Sequence, residues 1–190
     1  MSAIGFTACN NPEQKTAPET TAPAESKHSA AFNQSVHSAL DTYYKLTEAF
    51  VNWDSVSVVS LANELNTRLD SLPAEEIKED TAAAKAKNYL AGAKKDLSGI
   101  TAQNDLTSKR HALNALTDNL FQFLSTAKYD REKLYLQECP MAFNDVESGL
   151  WISPADSIRN PYLGLHHPRY GKGMLECGDN KEVLNFTGTK

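Results

Sequence analysis

The sequence has no run of apolar residues approaching the roughly 20 needed to span a bilayer, so it predicts no transmembrane helix. It also has no basic stripe, because 19 Lys and Arg are outnumbered by 24 Asp and Glu and the formal net charge is −5. That balance argues against nucleic acid as a partner. Hydrophobic residues make up 41% of the 190 residues, enough for one ordinary domain with a tail or a small additional segment.

The signatures of common enzyme classes are absent as well. The glycines from Gly164 onward lack the spacing and the strand-to-helix context of a nucleotide-binding loop. No serine stands in a nucleophile elbow. A nucleophile-base pair of Cys139 and His166 is conceivable, but the Pro140-Met141 that follows the cysteine suits no such mechanism. We therefore expect a protein that is not an enzyme.

Cysteine is scarce, and the first of the three cysteines has an explanation of its own. Small residues precede Cys9, as in a lipobox, the site where signal peptidase leaves an N-terminal cysteine for lipid attachment. We interpret residues 1–9 as a truncated lipoprotein signal and lipobox, with the true start upstream of Met1. The alternative is an ordinary cysteine in a flexible N-terminus.

Residues 10–30 are rich in Pro, Thr, Ala, Glu and Lys and have almost no large apolar side chain. Such a segment cannot offset the entropy cost of ordering it, so it predicts a disordered tether. A tether after a lipidated Cys9 would hold a soluble domain clear of the membrane surface. We expect a periplasmic or cell-envelope protein that meets the membrane through its lipid anchor only.

Residues 31–129 predict a four-helix bundle, because apolar side chains recur there at three- and four-residue steps. Asp54 is a plausible N-cap of the second helix, and Leu72-Pro73 ends it. The third helix is expected from about Ala74 to Leu97, with Gly99 as its stop. Short links favour an up-and-down topology. We also expect this bundle to fold without the residues that follow it.

Residues 130–190 predict a small β/loop C-terminal subdomain, which makes the chain mainly α overall. Short strands are expected at residues 133–139 and 149–153, joined through an Asn144-Asp145 turn, and a last one at 182–186. The loop up to Gly178 is rich in Gly, Pro, Asn and His. A loop of this length in a compact domain is usually functional or held by something other than a large core.

Sulfur residues cluster in this C-terminal segment. Met141 follows Cys139 by two positions and Met174 precedes Cys177 by three, and apart from Met1 the chain has no other methionine. Thiolate and thioether sulfurs are soft ligands that favour Cu(I), and thiolates also suit zinc. These four residues are therefore candidate metal ligands, with copper expected before zinc. His166 and His167 lie in the same loop and are further candidates.

Other interpretations of the same residues stay open. Cys139 and Cys177 in an oxidising compartment can form a structural disulfide, which leaves Met141 and Met174 as core fillers. The disulfide and the metal site can also alternate. The histidine pair can simply be a solvated part of the loop.

Several stretches of the C-terminal segment together resemble the DUF3347 family, and the resemblance extends over about residues 35–183. The matching stretches are Cys139-Pro140-Met141, Trp151-Ile152-Ser153, residues 158–164 and residues 174–178. DUF3347 domains, of unknown function, occur in bacterial exported proteins and on periplasmic adaptors of heavy-metal efflux pumps.

The resemblance implies extracytoplasmic handling of copper or another heavy metal. The Cys-Pro-Met stretch is also similar to the core of small heavy-metal-binding domains, in which His-Pro usually follows. Here Ala142-Phe143 follows, so one ligand of those domains is missing. The stretch at 165–173 appears longer than in many DUF3347 members, and it either supplies the imidazole or is a mere insertion.

Two functions are consistent with these features. The first is a lipid-anchored Cu(I) chaperone or buffer linked to heavy-metal efflux, with adaptor or pump components as partners. The alternative is a structural or interaction module of an envelope complex, with a Cys139–Cys177 disulfide and no metal.

The lipobox interpretation predicts lipid attachment at Cys9. Expression from an upstream start should give a palmitate-labelled protein in the membrane fraction, and Cys9→Ser should abolish the label because the acceptor thiol is removed. Metabolic labelling checks this. Unchanged labelling of Cys9→Ser would rule the lipobox out.

Overall fold

The computed structural model describes residues 25–188 and Met1, so Cys9 and most of the expected tether lie outside the described residues. The described chain is mainly helical and ends in a small antiparallel sheet, as the sequence predicts. None of its helices is long and apolar enough to cross a membrane. The elements are α1 (Ala30–Val51), α2 (Ser55–Asp70), a 3₁₀ turn (Ala74–Glu76), α3 (Asp80–Ala102), α4 (Leu106–Ala127), β1 (Leu134–Phe143), β2 (Glu147–Ser153) and β3 (Asp179–Leu184).

Three of the helices begin at a side-chain cap. Ser29, Asp54 and Asp105 accept hydrogen bonds from backbone N–H groups in the first turns of α1, α2 and α4. These N–H groups have no partner inside the helix, so a cap removes the cost of leaving them unpaired. The prediction that Asp54 caps the second helix is confirmed.

The expected bounds of the third helix are wrong at both ends. Ala74 starts only a 3₁₀ turn, and α3 begins at Asp80 and runs through Gly99 to Ala102. A glycine inside a helix costs roughly 0.5–1 kcal/mol. Ile100 is fully buried, and burying such a side chain contributes about 1.5–3 kcal/mol. Packing therefore outweighs the local preference of Gly99 to stop the helix.

The sheet has the order β2-β1-β3, with both pairs antiparallel. A tight turn joins β1 to β2, and Asn144 and Asp145 both have positive φ there, at 51° and 62°. Asn and Asp tolerate this left-handed conformation better than other side chains, which suits them to hairpin turns. The expected Asn144-Asp145 turn is confirmed.

The sheet and the helices share one apolar core. Trp151, Ile152 and Tyr162 are almost completely buried in the same cluster as the apolar stripes of the helices. The hydroxyl groups of Tyr43 in α1 and Thr117 in α4 lie 2.7 Å apart, and the Ile152 N–H donates to the Tyr43 oxygen at 3.2 Å. Strand β2 is thus tied directly to the helices.

The loop after β2 is attached to the end of α1. The Leu165 N–H donates to the Val51 carbonyl at 2.8 Å, and Trp53 Nε1 donates to the Leu163 carbonyl at 3.2 Å. Gly164, with φ of 57°, approaches so closely that a Cβ there would lie 2.5 Å from the Val51 oxygen. A glycine is required at this point of the contact.

Residues just before α1 contact the start of the C-terminal segment. The Ser26 hydroxyl and the Lys27 N–H donate to the two carboxylate oxygens of Asp130, at 2.6 and 2.8 Å. These contacts lie within the range that the sequence assigns to the tether.

The shared core argues against our expectation that the helices fold alone. A chain ending at Tyr129 loses Leu134, Phe143, Trp151 and Tyr162 from the core, each contributing about 1.5–3 kcal/mol when buried. That loss is comparable to the 5–15 kcal/mol total stability of a typical domain. We expect the truncated chain to lose its cooperative thermal transition in circular dichroism, whereas the full chain keeps it. A sharp melt of the truncated chain would contradict the shared core.

Candidate metal centre

The fold brings the two C-terminal cysteines together. Cys139 lies on the central strand β1, opposite Gly149 of β2, and Cys177 lies two residues before β3. Pairing of Glu138 with Asp179 places the start of β3 beside Cys139. The two Sγ atoms lie 3.1 Å apart although the residues are 38 positions apart in sequence. Cys139 is fully buried and Cys177 is half-buried, so the pair is open to solvent on one side.

The pair is a dithiol in this structure. The pKa of the Cys177 thiol is raised to about 12, first by burial and then by the neighbouring Cys139 and Asp179. The 3.1 Å separation lies between two chemically distinct arrangements. Bonded disulfide sulfurs are about 2.05 Å apart. Two thiolates at about 2.3 Å from one tetrahedral ion lie about 3.8 Å apart. A small movement in either direction therefore reaches one of them.

The buried side chain of Asn160 holds the loop that carries Cys177. Its Nδ2 donates to the Cys177 carbonyl at 2.9 Å, and its Oδ1 accepts from the N–H groups of Tyr162 and Leu163 at 2.8 and 3.1 Å. Its backbone N–H donates to the Leu175 carbonyl at 2.8 Å. Two distant parts of the loop are thereby fixed to one residue.

Gly178 permits a close approach beside the pair. Its φ is 144°, and a Cβ there would lie 2.8 Å from the Glu138 oxygen and 2.9 Å from the ring of Trp151. Only glycine accommodates both the conformation and the contact. Cys177 can therefore lie against the strand that carries Cys139.

The two methionines occupy different positions relative to the pair. Met174 is in the turn that ends at Cys177, whose N–H donates to the Met174 carbonyl at 3.1 Å. Met141 is half-buried on β1 and lines a cavity with His167, and neither cysteine belongs to that cavity wall. The structure thus places Met174 in the same turn as Cys177 and Met141 in the wall of a cavity that neither cysteine lines.

The two loop histidines differ as possible ligands. His166 is exposed. The Nδ1 of His167 accepts from the backbone N–H groups of Arg169 and Tyr170, at 3.2 and 3.3 Å, which places the ring proton on Nε2. Neither nitrogen then has a free lone pair, an arrangement that argues against His167 as a ligand. Among the residues that the structure describes, no three His, Cys, Asp or Glu side chains converge to hold a metal.

Comparison with known proteins identifies the helical part of the chain. The DUF3347 family model, described as a protein of unknown function, matches residues 39–132. Over this range the chain is a member of the DUF3347 family. No curated protein and no solved structure matches the chain. The matched residues run from α1 to the residues before β1, so the Cys-Pro-Met and Met-x-x-Cys stretches lie outside them.

Two residues that position the site of this DUF3347 protein escaped the sequence analysis. Asn160 lies inside the matching stretch of residues 158–164, and the sequence analysis assigns it no role, although an Asn before a proline favours a turn that its own side chain caps. Arg110 in α4 is buried, and its Nε and Nη2 donate to the carbonyls of Pro161 and Phe50 at 3.1 and 3.2 Å. Nothing in the helical pattern distinguishes it from a surface arginine.

Asn160 provides a test of how the site is held. Asn160→Ala leaves three buried backbone groups without their partner, and each unpaired group costs about 1–3 kcal/mol. Asn160→Asp keeps the acceptor for Tyr162 and Leu163 but loses the donor to Cys177. We expect both variants to lower the free energy of unfolding in urea and to speed alkylation of Cys177 by iodoacetamide. Alkylation of both variants at the parent rate would show that Asn160 does not hold the Cys177 loop.

Proposed function

We propose that this DUF3347 protein binds one soft metal ion, Cu(I) before Zn(II), through the thiolates of Cys139 and Cys177. The observation that carries the proposal is the 3.1 Å separation of two sulfurs from distant parts of the chain. One of them is buried and the other half-exposed, which supplies both a rigid ligand and an entry path.

The ligand types favour copper over zinc. Structural zinc is almost always held by four Cys, His or carboxylate ligands. The described residues bring together only two of that kind, so further ligands would have to be thioethers. A thioether is a soft ligand that suits Cu(I). Met174 is the stronger candidate for the thioether ligand and Met141 the weaker one. His166 is an optional imidazole ligand, and His167 ranks after it.

The proton on the Cys177 thiol makes metal binding depend on pH. The raised pKa of Cys177 keeps it a thiol at neutral pH, so a metal must displace its proton. Ligand protons and metal compete for the same sulfur, and affinity therefore falls as the pH falls.

The cellular role in this proposal is that of a chaperone or buffer linked to heavy-metal efflux. A lipid on Cys9 would hold the protein in the periplasm or cell envelope, where adaptor or pump components are its partners. In this proposal the four helices form an up-and-down bundle that serves as a rigid support, consistent with short links such as residues 52–54 and 103–105.

A second candidate function rests on the same distance. Sulfurs 3.1 Å apart need to approach by only about 1 Å to form a disulfide. The bond would join β1 to the residues before β3 and staple the C-terminal segment. The protein would then be a structural or interaction module of an envelope complex and hold no metal.

Anaerobic titration with Cu(I), followed by native mass spectrometry, tests the proposal. Reduced protein in a Cys9→Ser background, which removes the third thiol, should bind about one Cu(I). Cys139→Ser and Cys177→Ser should each weaken binding by roughly 100-fold or more, because a hydroxyl replaces a thiolate. Met174→Leu should weaken it less and leave the melting temperature nearly unchanged, since Leu nearly conserves the volume.

The remaining variants rank the other ligands. Met141→Leu and His166→Ala should have smaller effects than Met174→Leu, and His167→Ala the smallest effect on Cu(I). Zn(II) should bind more weakly than Cu(I) to the parent. If both Met→Leu variants bind like the parent, the thioether part of the proposal is wrong. If the reduced parent binds no Cu(I), the disulfide module replaces the metal protein.

A further inference from the structure

A cavity of about 270 Å³ opens between the first turns of α4, the hairpin turn of residues 143–145 and the loop after Tyr162. Cys139 and Cys177 are not part of its wall, whereas Met141 and His167, the weaker ligand candidates, are. Arg110 forms part of the wall. The environment of this arginine determines what the cavity is suited to hold.

Arg110 is a buried cation without a carboxylate partner in the part of the chain that the structure describes. Its side chain is only 3% exposed, and its guanidinium carbon lies 4.2 Å from the centre of the Trp53 ring. Arginine is rarely buried unless it is paired with an anion. Burial lowers the pKa of Arg110 to about 10, which still leaves it protonated at neutral pH. An anionic partner from outside the chain would compensate this charge.

One nitrogen of the Arg110 guanidinium is available for such a partner. Nε and Nη2 donate to backbone carbonyls, and no described residue accepts from Nη1. Because Arg110 itself lines the cavity, Nη1 is the guanidinium nitrogen left to donate to a ligand there.

The other charges of the wall leave an excess of positive charge. Its single carboxylate, on Asp145, is already engaged by Arg169 at 2.5 Å and by the Tyr170 hydroxyl at 2.7 Å. Arg169 also lines the wall, so the charges of this pair cancel and the charge of Arg110 is left over. A chain with an overall charge of −5 therefore has a locally cationic cavity.

The rest of the wall combines polar groups with aromatic and apolar side chains. Trp53, Phe143, Tyr162 and Leu163 contribute to it, and the Phe143 and Tyr162 rings meet edge to face at 5.2 Å between centres. These rings offer apolar surface against which the flat body of a small ligand can pack. The volume is below the 300–1,000 Å³ typical of sites for drug-sized ligands, which limits the ligand to a small molecule.

We infer that this cavity binds a small organic anion, a carboxylate on an aromatic or similar apolar body, with Arg110 Nη1 as the donor to the carboxylate. An arginine donor to a carboxylate makes a charge-assisted hydrogen bond, which is roughly twice as strong as a neutral one. The aromatic walls would cover the apolar body and exclude water from it.

Titration of the reduced, metal-free protein with sodium benzoate tests the inference by NMR. The indole N–H resonance of Trp53 should shift in a saturable manner, with a dissociation constant of roughly millimolar. The Trp151 indole should not shift, because Trp151 is buried outside this cavity and serves as an internal control. Benzamide has nearly the same shape without the charge, and it should bind at least roughly tenfold more weakly.

Thr107 offers a matched pair of variants at the rim of the cavity. It is exposed in the first turn of α4, where Glu and Gln are both tolerated, so neither variant should disturb the fold. Thr107→Glu should bind benzoate roughly 3- to 10-fold more weakly than Thr107→Gln, because the two differ only by one negative charge. The inference is overturned if the two variants bind benzoate equally or if benzamide binds as well as benzoate. It is also overturned if the Trp53 resonance shows no saturable shift at benzoate concentrations up to roughly 10 mM.

Discussion

The C-terminal segment of this protein depends on the hydrogen bonds made by the side-chain amide of Asn160. This amide satisfies the Cys177 carbonyl and two backbone N–H groups of the next turn, all in a region with little regular structure. Buried backbone groups without partners are costly, and a long loop has few other means of pairing them. One fully buried side-chain amide therefore supplies hydrogen bonds to backbone groups that, in a strand, the neighbouring strand would supply.

The same loop is held from its other side by the helices. Arg110 reaches from α4 to the carbonyl groups of Phe50 and Pro161, and so links the end of α1 to the turn that Asn160 organises. Arg159 adds an ion pair to Glu48 on the surface, where such a pair contributes little. The buried contacts are the ones that position Cys177 against β1, and the DUF3347 helices are part of the support of the candidate site.

The Sγ–Sγ distance of the dithiol is intermediate between that of a disulfide and that of two thiolates on one ion. Burial disfavours the thiolate at Cys177, which keeps this thiol protonated and slows its reaction with oxidants. A soft ion that replaces the protons would stabilise both sulfurs in a slightly wider arrangement, and an oxidant would bring them closer. The observed distance matches neither arrangement, and a change of about 1 Å or less separates it from each.

Local features of this chain were determined by the sequence alone. The four helices, the Asp54 cap and the Asn144-Asp145 turn follow from side-chain spacing and from backbone preferences that act over a few residues. The spacing of cysteine and methionine along the chain likewise indicated a candidate site in the C-terminal segment.

The tertiary structure decided the features that depend on residues far apart in sequence. It carried α3 through Gly99 because Ile100 is buried, and it fused the sheet and the helices into one core. It also brought Cys139 and Cys177 into contact while leaving Met141 in the wall of a separate cavity. Burial of Arg110 and Asn160 belongs to the same group, because a buried polar side chain is recognisable only by the partners that satisfy it, and those lie far away in sequence.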